Sequence, residues 1–387
     1  MRLFIFACIA LGHRAIATGV SGEAFGMATG TTGGGSATAA APSDTAELES
    51  WLSDDVARVI LIDKAFDFTD SLGTTTGSGC YQDCDVAQGG QDYIGTLSCS
   101  GSTMTALSDI EYYAAGASPL LVGSNKSIVG VGTEGVIKGR GLRVYGATNV
   151  IIQNVFVTDI NPEHVWGGDA ITIQEADKVW IDHCKFSLIG RQMIVTGYDA
   201  AGHVTISNNE FDGNTDWSAT CNRQHYWTLL LLGAKDYCTF YGNYLHDLSG
   251  RAPHYGTTDN DATNVFHAVN NYFENMAGHA FDIGPNTWSL IEGNVFSNVT
   301  TPMTADSTEQ DSAIFNVLSG STSECASVIG RDCVENEVID NSGSLTGVSD
   351  TTALTYLAEA GTEYIMSASS TSDVASSAKA NAGIGKV

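Results

Sequence analysis

The sequence predicts an all-β chain wound into a single-stranded parallel β-helix, and three observations lead there. Six segments can be laid on one another: Gln153-Asn154-Val155-Phe156, His183-Cys184-Lys185-Phe186, Asn208-Asn209-Glu210-Phe211, Gly242-Asn243-Tyr244-Leu245, Asn270-Asn271-Tyr272-Phe273 and Gly293-Asn294-Val295-Phe296. Asn recurs at the second place, broken by Cys184, and Phe at the fourth, broken by Leu245. The steps between second places, 30, 25, 34, 28 and 23 residues, are irregular, which suits stacked coils with variable loops rather than a fixed helical repeat. Hydrophobic alternation precedes nearly every match, as in Val179-Trp180-Ile181 and Val204-Thr205-Ile206. If coils stack about 4.8 Å apart, the asparagines hydrogen-bond along the stack and the Phe rings fill its interior.

A solenoid grows along one axis, so it takes up 387 residues as one domain, expected over residues 18–387. The 43 glycines supply bends between coils, and prolines are few at 6. Ahead of the domain, Arg2, the apolar run Leu3–Leu11 and the small residues Ala15-Ile16-Ala17 predict a secretory signal over residues 1–17. Beyond the repeats, about 341–387 is rich in Ser, Thr and Ala. It is expected to strap onto the coils, with a small helix over 371–380 and a frayed outer part.

Nine cysteines less Cys8 of the signal leave eight. Cys80, Cys84 and Cys99 lie in a Gly- and Asp-rich loop and Cys325 and Cys333 flank a short one, positions that suit disulfides in an exported protein. Cys184 and Cys238 fall within strand patterns and read as buried thiols. None has zinc spacing, and no metal or other cofactor is expected. Asn125-Lys126-Ser127 and Asn298-Val299-Thr300 are glycosylation acceptors by pattern. No apolar stretch of about 18 residues exists to span a membrane. The formal net charge of −27 argues against nucleic acid, anionic lipid or a densely acidic polymer as partner and leaves neutral ligands open.

Carrying the alignment to the strand before the asparagine turn superposes Asp169-Ala170-Ile171, Arg191-Gln192-Met193, Arg251-Ala252-Pro253 and His279-Ala280-Phe281. Asp169, Arg191, Arg251 and His279 should then form a column on one outer face, with Asp169 and Arg191 about 5 Å apart. Trp166, Tyr226 and Trp227 fall on the same side. In a chain with only 17 Lys and Arg, two arginines aligned with an aspartate and flanked by tryptophans suit a polysaccharide cleft. The aromatic planes would take sugar faces and the guanidinium groups would take oxygens.

Several motifs sharpen this: Asn161-Pro162, Val165-Trp166-Gly167-Gly168-Asp169-Ala170-Ile171, Val179-Trp180-Ile181-Asp182-His183, Ile189-Gly190-Arg191-Gln192, Tyr226-Trp227 and Ser249-Gly250-Arg251-Ala252-Pro253. In number and order they resemble the fungal-type pectin lyases of the pectate lyase superfamily, family 1, over nearly the whole mature chain. The resemblance implies a right-handed β-helix with an N-terminal helix cap. The activity implied is that of a secreted, monomeric, endo-acting pectin lyase, which splits methyl-esterified homogalacturonan by β-elimination to 4,5-unsaturated ends. It places the catalytic arginine on Arg251, its assistants on Arg191 and Asp169, and the substrate-binding aromatics on Trp166, Tyr226 and Trp227. It also implies the disulfides Cys80–Cys99, Cys84–Cys221 and Cys325–Cys333. Where related pectate lyases hold calcium this chain has Arg191, which repels a cation.

Two departures stand out. The family commonly has Lys three places after the catalytic Arg, where this chain has His254, counted here with the substrate-binding residues. Residues 80–99 offer the cleft Tyr81 and Tyr93 in place of the family's tryptophans. The resemblance makes Arg251 the base, with Arg191 depressing its pKa; His254 is the second candidate, because imidazole gives up its proton far more readily. Rival readings are a calcium-dependent pectate lyase, a non-catalytic carbohydrate-binding β-helix, and a glycoside hydrolase. The last would need two or three carboxylates at the cleft centre, where only Asp169 stands.

Overall fold

The computed structural model describes residues 19–259, 261–308, 312–345 and 348–387; the signal segment 1–17 lies outside them. Three long parallel sheets run the length of the molecule. The first has ten strands, from Ala39–Ala40 through Lys126–Gly130, Asp177–Asp182 and Asp236–Tyr241 to Ala313–Asn316. The second and third merge at the long strand Tyr272–Ile283, which turns the corner between them. Each coil therefore contributes one short strand to each sheet, and inward side chains from all three make one continuous core. Among the described residues, no helix is long and apolar enough to cross a membrane.

The core is built from aliphatic rungs and a Phe column. Phe186 stacks on Phe211 (centroids 5.2 Å apart), and Phe273 on Phe296 (4.9 Å), with Leu245 filling the rung between. Helix Thr45–Ser53 closes the N-terminal end. Asp44 caps it by accepting from the Glu47 N–H at 2.9 Å, and Leu48 and Leu52 are buried against the first coils. At the other end the strap carries two helices. Tyr356 of helix Thr352–Gly361 stacks on Trp288 at 4.2 Å, and Lys379 of helix Val374–Asn381 pairs with Glu274 at 2.7 Å. The outer part is tied down, not frayed: the Gly383 N–H donates to Asn208 O, and the Gly385 N–H to Asn154 Oδ1.

The turn between the first and second sheets holds the asparagine ladder. Asn209, Asn243, Asn271 and Asn294 are fully buried, and each accepts at Oδ1 from the main-chain N–H of the preceding rung at 2.8–3.0 Å. The ladder runs one rung past the sequence stack, to Asn336, which accepts from the Asn294 N–H at 2.9 Å. The first segment of the stack is out of phase by one residue. Phe156 pairs with Lys185, and Val157 with Phe186, so Val155 is level with Cys184 and Phe156 is only half-buried. Asn154 belongs instead to the left-handed position before the ladder (φ 60°), with His183, Asn208, Gly242, Asn270 and Gly293. Asn serves both positions, which is why the sequence stack slipped there.

Truncating a middle rung should be costly. Asn243 Oδ1 takes the Asn209 main-chain and side-chain N–H groups, and its Nδ2 donates to Ile206 O and Asn271 Oδ1. Asn243→Ala orphans these buried partners and should lower stability by about 2–4 kcal/mol in urea unfolding. A loss under about 1 kcal/mol would mean that the ladder follows the fold without supporting it.

Candidate active site

The cleft lies on the outer face of the third sheet, beside the long turns that enter it from the second. Asp169 precedes strand Ile171–Gln174, Arg191 precedes Ile194–Thr196, Trp227 precedes Leu229–Leu231 and Arg251 precedes His254–Tyr255. Ile171 pairs with Ile194, so the residue level with Asp169 is Gln192, and Arg191 stands one place earlier. The column expected from sequence is thus wrong by one residue at Arg191, although its side chain still reaches Asp169.

That contact is bidentate. Arg191 Nε donates to Asp169 Oδ1 at 2.8 Å and Nη2 to Oδ2 at 3.0 Å, while the Gln192 main-chain N–H also donates to Oδ1 at 2.8 Å. The side chains are 13% and 19% exposed, so the pair is well shielded compared with a free surface ion pair. The guanidinium lies 4.2 Å from the Trp166 ring centroid, and Trp166 Nε1 donates to Ser98 Oγ at 3.0 Å. Trp166, Asp169, Thr172 and Arg191 line a cavity of about 140 Å³ with Gly116, Ala117, Pro119 and Gly168.

Arg251 is held from three directions. Its main-chain N–H donates to His279 Nε2 at 2.9 Å. Its guanidinium carbon is 4.8 Å from the Trp227 ring centroid and 5.8 Å from that of Tyr226. Burial lowers its pKa, Tyr226 and Asp282 oppose this, and the Arg191 charge adds to it. His254 Nδ1 is 2.6 Å from Asp282 Oδ2, and Thr304 Oγ1 donates to the other oxygen of Asp282 at 2.9 Å. Burial works to raise the Asp282 pKa but is outweighed, chiefly by the His254 hydrogen bond, so the carboxylate is held below its ordinary range.

Two supports escaped the sequence reading. Gln91, 1% exposed, accepts from Trp227 Nε1 at 3.1 Å and donates to Pro162 O and Gly190 O. His225 is buried with Nε2 2.9 Å from both Arg191 O and Trp227 O, so an Nε2–H fixes the main chain under two cleft residues. Nothing in either local sequence marks these roles, since each depends on partners from other coils. Tyr93 does not face the cleft as expected. It is 7% exposed and backs Trp227 edge-on, centroids 6.3 Å apart. Strands Thr74–Tyr81 and Thr105–Tyr113 pair antiparallel as a hairpin, and the disulfides Cys80–Cys99 and Cys84–Cys221 pin it to its own loop and to the turn carrying Tyr226. Cys325–Cys333 closes a distant loop, and Cys184 and Cys238 are buried thiols.

Among the described residues, one cluster has metal-ligand geometry: Glu210, Asp212 and His246 on the second sheet. Lys185 Nζ already sits there, 2.8 Å from Glu210 and 3.0 Å from Asp212. At the cleft, Asp169 is committed to Arg191.

Burial pushes the His225 pKa down to about 4, against its two carbonyl partners. The unfolded chain binds a proton near pH 6.5 and the folded chain does not until about 4, so the stability this ring contributes is complete above pH 6.5 and lost as pH falls through 4. Asp92 and Asp236, raised to about 6 by burial, act in the opposite sense over the same range, so the test is a difference. The stability gap between wild type and His225→Gln should narrow by about 3 kcal/mol between pH 7 and pH 4 in urea unfolding. A gap independent of pH would mean that burial does not depress the His225 pKa, and a gap that widens toward pH 4 would mean that the ring is protonated in the fold.

The sequence profile described as pectate lyase matches residues 12–387. The chain is 51% identical over 385 residues to the probable pectin lyase F-1 of Aspergillus terreus, covering 98% of each chain. It is also 51% identical over 383 residues to the probable pectin lyase F of Neosartorya fischeri, covering 95% of this chain and 96% of the relative. Among solved structures, pectate lyase II from Xanthomonas campestris superposes with a TM-score of 0.58 at 19% identity, covering 94% of this chain and 98% of that one. The pectate lyase from Acidovorax avenae superposes with a TM-score of 0.57 at 17% identity, covering 99% of both. At such identities the superpositions speak to the fold alone, and they agree with the parallel β-helix. Profile and full-length relatives together show that the chain belongs to the pectate lyase family.

Proposed function

We propose that the chain is a secreted, monomeric, endo-acting pectin lyase that cleaves α-1,4 bonds of methyl-esterified homogalacturonan by β-elimination. The observation that carries this is the pair of arginines in the cleft, Arg191 locked to Asp169 and Arg251 seated on Trp227. Both offer positive charge to a carbonyl oxygen that gains charge in the reaction. The names of the half-identical relatives point the same way.

Esterification of the C6 carboxyl makes H5 more acidic, because the charge left on C5 spreads onto the ester carbonyl oxygen. The C5–H bond gives its proton to a base, its electrons form the C4–C5 double bond, and the C4–O4 bond breaks. The departing O4 takes up a proton. Arg191, oriented by Asp169, and Arg251 stabilise the enolate-like state. Trp166, Tyr226 and Trp227 present rings to the sugar faces, and Trp166 and Trp227 are set by Ser98 and Gln91.

The net charge of −27 bears on the choice of polymer. It disfavours polygalacturonate and leaves the nearly neutral ester untouched. The second reading, a calcium-dependent pectate lyase, has the description of the matching sequence profile in its favour. Against it stands Asp169, whose oxygens are both taken by Arg191.

Highly esterified pectin should be cleaved faster than polygalacturonate, with or without EDTA, as followed by absorbance of the unsaturated product. Added salt should change the polygalacturonate rate more than the pectin rate. Activity abolished by chelation, or a preference for polygalacturonate at low salt, would replace this reading with the calcium-dependent one.

Arg251→Ala should keep the wild-type melting temperature, because the side chain lies outside the coil core, and should lose at least about 100-fold in kcat. More than about a tenth of wild-type activity would remove Arg251 from the reaction.

A further inference from the structure

The Arg251 guanidinium lies against the rings of Trp227 and Tyr226, and no carboxylate among the described residues is ion-paired with it. Rings stabilise a guanidinium without fixing its position as a bidentate carboxylate does. Where the group points therefore follows from the main chain at Arg251. That main chain is in the left-handed region, φ 46°, which a long side chain does not favour.

Three neighbouring N–H groups hold the turn. Ser249 donates to His225 O at 2.8 Å and Ala252 to Ala280 O at 3.1 Å. Both acceptors are main-chain carbonyls, which keep their lone pairs at any pH. Arg251, between them, donates instead to His279 Nε2 at 2.9 Å. An imidazole nitrogen accepts only while it lacks a proton, so this bond needs the neutral ring with its proton on Nδ1.

The surroundings are shaped to that ring. Strand Tyr272–Ile283 shifts register against the next strand between Met276 and His279. Gly278 lies so close to Ser249 that a Cβ there would overlap the Ser249 carbonyl oxygen. At Gly250 a Cβ would overlap the Tyr226 ring and stand 3.1 Å from His279 Cε1. The His279 ring meets Tyr226 edge-on, centroids 5.8 Å apart, and Tyr226 meets Trp227 in the same way at 4.8 Å. Histidine, turn and both aromatic partners of Arg251 thus form one packed unit. Burial lowers the His279 pKa, Asp282 works against this, and His254 and Arg251 add to the lowering. These three and Tyr226 are the titratable and charged groups that face the ring, and the next strand places Thr301 level with it.

We propose that His279 is a proton-operated latch on Arg251: the neutral ring holds the turn in its working position, and protonation of the ring releases the turn and switches the cleft off. This rests on the lyase reading above and adds its control by pH. A proton from solvent adds to Nε2. The new Nε2–H then faces the Arg251 N–H, two donors without an acceptor, and the imidazolium stands beside a guanidinium. The left-handed turn loses the bond that held it, and the guanidinium comes off Trp227. Return of the proton to solvent restores the bond. His279 is a positioning residue in this scheme and touches no reacting atom, whichever group takes H5. Because the fold holds the ring neutral, the latch is closed above the ordinary histidine range and opens as pH falls through the lowered His279 value.

The test is the pH dependence of kcat on highly esterified pectin for wild type, His279→Gln and His279→Leu, with melting temperatures alongside. Wild-type kcat should be level above the His279 titration and fall below it by about tenfold for each pH unit, as one proton demands. His279→Gln keeps an acceptor oxygen but cannot titrate. It should hold kcat within about tenfold of the wild-type plateau and lose the acid limb. His279→Leu has no acceptor, so it should lose about 10- to 100-fold in kcat at every pH, again without the limb. A second measurement needs neither a folded His279 variant nor turnover. In wild-type protein carrying isotope-labelled arginine, the Arg251 amide resonance, identified by its absence from Arg251→Lys, should shift as pH falls below the ordinary histidine range, with the midpoint of the acid limb. An acid limb unchanged in His279→Gln, or an Arg251 amide that does not titrate, would overturn the latch while the lyase reading stood. Wild-type protein that forms no unsaturated product at any pH would instead sink the lyase reading, and the amide titration would still decide the latch.

Discussion

The constraint on which the rest depends is the hydrogen-bonded phase lock between coils at the asparagine turn. That turn has two residues between strands in every coil from Gln153 to Val295: one left-handed residue and one ladder residue. Each buried amide bonds to the main chain of its neighbour, so an insertion there would break two coils at once. Length variation is therefore expelled to the opposite corner. Between second- and third-sheet strands the gaps run from Ile160 to Ile171, Ile189 to Ile194, Asp212 to Leu229 and His246 to His254. Trp166, Asp169, Arg191, Tyr226, Trp227 and Arg251 sit in those gaps. The ladder thus fixes the phase of the scaffold and also determines where a cleft can grow.

A strongly acidic protein keeps two arginines together in the cleft through the partners that its cations take. Much of its small stock of positive charge is committed to acids elsewhere: Lys126 to Asp54, Arg140 to Glu49, Arg331 to Glu292 and Lys185 to Glu210 and Asp212. In the cleft the partners differ. Arg191 has one carboxylate and one indole, and Arg251 has aromatic rings and no ion-paired carboxylate among the described residues. An aromatic partner stabilises the cation without cancelling its charge, so the field of Arg251 is left unneutralised.

What could be read from the sequence was phase, and what could not was partnership. The recurrence of Asn and Phe gave the coil repeat, and the strand alternation gave Asp169, Arg191, Arg251 and His279 on one face. The reading slipped by one residue where two neighbouring positions accept the same amino acid, at Asn154, and where a turn adds a residue before the strand, at Arg191. It stopped a rung early, at Asn294, because the coil to Asn336 is longer than the others. Gln91 supports Trp227 from 136 residues away, and His225 supports Arg191 from 34. Such contacts depend on which loop folds over which, and no spacing within one coil encodes that. Asp282 was hidden differently. It was visible in the strand His279–Ile283, but that it lies level with His254 is something only the register reveals.

The backbone at the cleft carries a further signature. Most non-glycine residues in the left-handed region are Asn or Asp, whose short side chains tolerate it, at recurring corners of the coils. At the cleft the residues in that region are Trp166, Cys221, Arg223 and Arg251, with φ between 46° and 71°. None of these has such tolerance, and each costs about 1 kcal/mol or more to hold. At three of them the surrounding contacts oppose relaxation. Trp166 is held by Ser98 and by the Arg191 guanidinium, Cys221 by its disulfide, and Arg251 by the His279 ring under its N–H. A relaxed Arg251 would turn its N–H away from His279 and its guanidinium off Trp227. The strain is therefore coupled to the direction of the charge, and the hairpin, the disulfide and the histidine act together to keep that direction fixed before any substrate arrives.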